Sequence, residues 1–60
     1  MLLRDEDGLF LARVRFSFQG AFLVNSTANR HRAMSLDRHT AESLQAFLAD
    51  IGYIFYLEDE

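Results

Sequence analysis

No cysteine occurs in these 60 residues, so neither disulfides nor thiolate-ligated zinc can staple the fold, and composition leaves the redox compartment unread. Lysine is absent as well, all six cations being arginine. Glycine is scarce, with three residues scattered at 8, 20 and 52, which excludes a Gly-rich phosphate loop. No apolar run approaches the roughly 20 residues that a membrane span needs. The opening MLLRDEDG turns acidic almost at once instead of pairing a basic region with an apolar stretch, so the chain reads as soluble and cytoplasmic.

What is present suits one small domain over residues 1–60, with 1–8 and 58–60 as ends expected to fray. A chain this short hides only about 60% of its unfolded surface, so a lone monomer is marginal and self-association is a reasonable expectation. Half the residues are apolar, with six Phe and two Tyr among them, enough to fold rather than stay disordered. Nine acids against six cations give a net charge of −3. That balance argues against bulk nucleic-acid affinity, which needs an excess of cations to neutralise phosphates.

Residues 9–18 alternate with period two. Phe10, Ala12, Val14, Phe16 and Phe18 share one face, and Leu9, Leu11, Arg13, Arg15 and Ser17 share the other. Gln19-Gly20 punctuates this strand, and 21–25 returns as the second strand of a hairpin. A two-residue loop puts Ala21 and Leu23 on the core face. A three-residue loop puts Phe22 and Val24 there, and is preferred because larger apolar groups then meet Phe16 and Phe18. Residues 26–36 show no sustained period and read as a loop, with at most a short helical turn within 28–34.

From Thr40 the period changes, and Leu44, Phe47, Leu48 and Ile51 recur as one apolar helical stripe. Asp37 or Thr40 can cap its start, Glu42 lies in its first turn, and Gly52 stops it. Residues 53–57 form a short aromatic strand, and 1–3 make no more than a weak strand folded back on 9–11. The sequence therefore predicts an α+β fold, ββαβ, in which a three-stranded antiparallel sheet of order 2-1-3 carries one helix on one face. The right-handed crossover sets this order, and the second face is left bare.

That topology gathers three charge clusters at one pole: Asp5, Glu6 and Asp7; Glu58, Asp59 and Glu60; and, between them, Arg30, His31, Arg32, Arg38 and His39. Either the acids and bases neutralise one another in exposed ion pairs worth about 0 to 1 kcal/mol each, or the carboxylates recognise a basic groove on a partner. The bare face carries Leu9, Leu11, Arg13, Arg15, part of the second strand, and either Ile54 with Tyr56 or Tyr53 with Phe55 and Leu57. Exposed aromatic and Arg side chains suit a protein interface or homodimer; a base-stacking platform fits the acidic balance less well.

Chemistry-bearing motifs are lacking. His31 and His39 with Asp37 match no metal-ligand spacing, and Ser26, Thr27, Ser35, Thr40 and Ser43 sit in no nucleophile elbow. Asn25-Ser26-Thr27 fits a glycosylation pattern by chance. A sheet this small with one helix can hardly enclose a reaction pocket, so no enzyme, cofactor or metal is expected.

The whole chain, as a stand-alone acidic α/β protein of well under 100 residues, resembles the small phage-encoded anti-defence proteins, anti-CRISPR proteins in particular. The resemblance is one of size, charge and architecture. It implies stoichiometric inhibition of a CRISPR or other nucleic-acid-handling complex in a bacterial host cell, with carboxylates occupying a surface meant for DNA or guide RNA. The Arg30-His31-Arg32 loop departs from a uniformly acidic DNA mimic. The expected partner contacts are Asp5, Glu6, Asp7, Glu58, Asp59 and Glu60, with Arg13, Arg15 and Tyr56 secondary. A nucleic-acid regulator using Arg13, Arg15, Arg30 and Arg32 and a structural homodimer are the alternatives.

Overall fold

A computed structural model describes the backbone of residues 1–60 and every side chain except that of Phe16, so the expected core role of Phe16 lies outside the described residues. The chain forms β1 (Leu2–Asp5), β2 (Phe10–Phe16), β3 (Phe22–Thr27), a 3-10 turn (Arg30–Arg32), α1 (Arg38–Asp50) and β4 (Phe55–Glu58). All strand pairs are antiparallel, and the order is β3-β2-β1-β4. The α+β fold with one helix on a sheet stands, but the sheet has four strands rather than three.

The added strand, β1, is central. It pairs with β4 from Leu2↔Glu58 to Asp5↔Phe55 and with β2 at Arg4↔Phe10. Residues 1–8 are therefore not a frayed end: Leu2 and Leu3 are 2% and 1% exposed, one on each face of the sheet. A strand covered on both faces shows no apolar–polar alternation, and four residues leave little else to read.

Two hairpin loops share one construction. In Asp5-Glu6-Asp7-Gly8 and in Ser17-Phe18-Gln19-Gly20, the fourth residue's amide donates to the first residue's carbonyl, and the glycine takes φ of +85° or +79°. That left-handed position is why glycine stands there. The leading side chain then accepts two more amides, Asp7 and Leu9 onto Asp5 Oδ1, Gln19 and Ala21 onto Ser17 Oγ. The three-residue β2–β3 loop sets Phe16↔Phe22 and Val14↔Val24 in register, the preferred register, but Phe18 lies at the loop tip, fully exposed, and not on the core face expected of it.

Strand β2 does not alternate throughout. Leu11 opposes Ser26 and Arg13 opposes Asn25, so Ala12 is an extra, bulged residue. On its N-terminal side the faces exchange relative to strict alternation: Leu11 is fully buried under the helix with Leu3, Leu48 and Phe55, while Phe10 turns to the second face. This corrects the assignment of Leu11 to the bare face and of Phe10 to the helix-covered one.

Asp37 caps α1 by accepting the Thr40 amide at 2.7 Å. Hydrogen bonds from Thr40 hold its carboxyl below the usual range. The helix ends when Gly52 N donates to Ala49 O and Tyr53 N to Leu48 O, a closing pattern that satisfies its last carbonyls. It packs on β4 and β1 through Ala41, Leu44 and Leu48. The stripe is thus rotated from the expected one: Phe47 is 39% exposed and meets Phe22 edge-on at 4.9 Å, and Ile51 is 37% exposed.

Nor is the second face wholly bare. Residues 28–33 run along it, placing Arg30 above Phe10, before Met34 and Leu36 pack on the helix-side cluster, with Met34 N donating to Leu11 O and Leu36 N to Met1 O. Leu2 and Phe10 are buried in consequence, at 2% and 6% exposure. No helix among the described residues is long and apolar enough to cross a membrane.

Candidate functional site

The fourth strand redistributes the charge. With β1 inserted, β4 runs antiparallel to β3, so its end lies at the opposite end of the sheet from the end of β3. The register fixes the consequence: Asp5 sits opposite Phe55 and Leu2 opposite Glu58. Asp5–Asp7 and Glu58–Glu60 therefore occupy opposite ends of β1 and β4, and the single expected pole does not form.

Glu58 and Glu60 are engaged within the molecule through their carboxylates, and Asp59 through its backbone carbonyl. Arg4 Nη1 donates to Glu58 Oε1 at 2.9 Å and Arg30 Nη1 to Glu58 Oε2 at 2.7 Å, while Arg30 Nη2 donates to the Asp59 carbonyl at 2.6 Å. Both guanidiniums lie over the Phe10 ring, at 5.6 and 5.4 Å, favoured there by the ring quadrupole. The Arg4 hydrogen bond first, and the Arg30 charge with it, hold the Glu58 carboxyl below the usual glutamate range. Glu60 is held low by hydrogen bonds from Ser35 and from the N-terminal ammonium, 3.3 Å away.

A carboxyl lowered in the folded state contributes stability above its unfolded pKa and loses it as pH falls through the folded value. Thermal midpoints should therefore fall between about pH 6 and about pH 3, and Glu58→Gln should lie lower at neutral pH with a shallower acid decline. A melting series of both proteins checks this; parallel curves would contradict it.

The N-terminal acids are placed differently. Asp5 spends its carboxylate on the turn, accepting the Asp7 and Leu9 amides at 2.9 Å each. The Glu6 and Asp7 carboxylates are exposed and make no ion pair among the described residues. The same turn forms one wall of an open groove of about 320 Å3, whose other walls are Val24 and Ser26 of β3 and the Gly52–Phe55 connection. Tyr53 and Ile54 are 41% and 47% exposed there. The negative end of α1 lies at this groove, with no basic residue in its last turn.

Arg13 and Arg15 lie on the second face opposite Asn25 and Leu23, and Tyr56, exposed, lies opposite Arg4 on the same face. They are not joined to either acidic cluster by an ion pair among the described residues. A second cavity of about 350 Å3 is lined by Leu2, Arg30, His31, Ala33, Ser35 and Glu60; its Arg30 is already committed to Glu58. Among the described residues no three metal-ligating side chains come together.

Sequence reasoning missed Tyr53, Ile54 and Val24 as groove walls and Arg4 and Arg30 as the clamp on Glu58. The available signal was Gly52: two large apolar residues directly after a helix stop and before a strand have only a loop to sit in. Comparison with protein-family models, curated proteins and solved structures finds no match to this chain.

Proposed function

We propose that this chain is a protein-binding module that acts as a stoichiometric inhibitor: it seats the groove beside Glu6 and Asp7 on a cationic surface of a protein partner and blocks that surface. In the form implied by its resemblance to anti-CRISPR proteins, the partner is a nucleic-acid-handling complex and the blocked surface one that holds DNA or RNA. The observation that carries the reading is the juxtaposition of two carboxylates lacking ion partners among the described residues with exposed Tyr53 and Ile54 in one groove. Aromatic and apolar anchors supply affinity at protein interfaces, while a charged rim steers encounter and sets register. Glu58 and Glu60, with internal partners already, are secondary to Glu6 and Asp7 in this scheme.

The test is a charge reversal that spares the fold. Tagged protein and its Glu6→Lys/Asp7→Lys variant, matched by circular dichroism, are used to capture partners from bacterial lysate. A cation-rich protein retained by the first and reduced at least about tenfold with the second, as expected for losing rim charges and gaining repulsion, supports the reading. Equal retention by both contradicts it. Salt-sensitive retention of RNA or DNA in place of protein would favour the regulator that uses Arg13 and Arg15.

A further inference from the structure

The groove ends at an edge strand, and that edge is unguarded. Strand β3 has β2 as its sole sheet neighbour. Its six residues, FLVNST, include no charge and no proline, although lysine, proline or a bulge is how sheet edges are usually kept from pairing. The other edge differs: β4 has four residues and ends on Glu58, and its Phe55 carbonyl already accepts from Gln45 Nε2 at 2.9 Å.

The direction of the backbone groups on β3 follows from the hairpin. Ser17 N donates to Ala21 O at 2.8 Å, so position 21 faces β2, and by the antiparallel alternation so do 23 and 25. The N–H and C=O of Val24 and Ser26 then point away from the sheet. Strand alternation also places both side chains on the helix face, and both are walls of the groove. A strand laid along β3 would therefore project alternate side chains toward the Asp5–Asp7 turn.

We infer that an extended segment of the partner adds to β3 as a fifth strand and sends an arginine or lysine into the groove beside Glu6 and Asp7. The inference rests on the proposed protein-binding role and names the kind of segment that fills it. Backbone hydrogen bonds to Val24 and Ser26 supply affinity, and the cation supplies specificity. Charge selects the occupant. The β3 of a second copy carries no cation and would leave both carboxylates unpaired, whereas a basic strand pairs them.

The probe is a blocked hexapeptide of alternating Arg and Val, compared with one carrying Glu for Arg and titrated into the isotope-labelled full chain. The Arg peptide is expected to shift the Tyr53 and Ile54 amides and to slow hydrogen exchange at Val24 and Ser26 by about tenfold or more. The Glu peptide should do neither. Ser26→Pro, which removes one outward N–H and leaves the β2 ladder intact, and Glu6→Gln/Asp7→Asn should each abolish the slowing. Shifts at Tyr53 and Ile54 without slowed exchange would overturn strand addition while leaving the acidic groove standing. Absence of both responses, or slowing that follows protein concentration without peptide, would overturn the inference, the latter in favour of a second copy.

Discussion

Leu11→Ala is expected to lower stability by about 2 to 5 kcal/mol and to leave much of the protein unfolded at room temperature. Leu11 is fully buried among Leu3, Leu48 and Phe55, so truncation removes its isopropyl group and leaves a cavity. A single core in a chain shorter than about 70 residues seldom supplies more than about 3 to 5 kcal/mol. The loss is therefore comparable with the total. In a domain of this size each kcal/mol moves the thermal midpoint by about 4 to 8 °C, and a melt followed by circular dichroism reads it. The experiment also isolates the bulge: strict alternation puts Leu11 on the second face with Arg13 and Arg15, where truncation costs within about 0.5 kcal/mol. A melt unchanged from the parent would remove the bulge from this account.

Phe10→Ala should cost about as much, roughly 3 to 5 kcal/mol, for a reason on the opposite face. Its ring, 6% exposed, lies beneath the guanidiniums of Arg4 and Arg30. Those two are in turn joined through Glu58. Removing the ring takes away the surface that residues 28–33 cover and uncovers Leu2. Beyond the lower melting point, amide exchange should quicken selectively in the 3-10 turn. Phe10→Leu, which keeps apolar burial and loses the ring quadrupole, should fall between the two. If Phe10→Ala melted with the parent, the second face would be an ordinary solvated surface and the clamp on Glu58 incidental.

These two substitutions also show where the sequence is a good guide and where it stops. Alternation in 9–18, the Gly20 turn and the spacing of Leu44 and Leu48 are local properties of the chain, and the hairpin and the helix follow from them. The bulge at Ala12 is not local. It brings Leu11 under the helix and Phe10 under Arg30, contacts made by residues far along the chain. Strand β1 escapes for a related reason, since Leu2 and Leu3 are buried by different covers and no pattern of two residues can announce that. The charge map then inherits the error: one missed strand reverses β4 relative to β3 and sends Glu58–Glu60 to the other end. Glu6 and Asp7 were legible as an acidic cluster. Their neighbours Tyr53, Ile54 and Val24 were not, because tertiary packing alone brings them to the same groove.

The central claim is that the acidic turn and its groove, rather than the acidic C-terminus or the arginines of β2, meet the partner. Amide chemical-shift mapping of the isotope-labelled chain bound to its captured partner tests this most directly. Shifts concentrated on Glu6, Asp7, Val24, Tyr53 and Ile54, with Glu58–Glu60 little changed, are the predicted result. A footprint centred on Glu58–Glu60, or on Arg13, Arg15 and Tyr56, would contradict it.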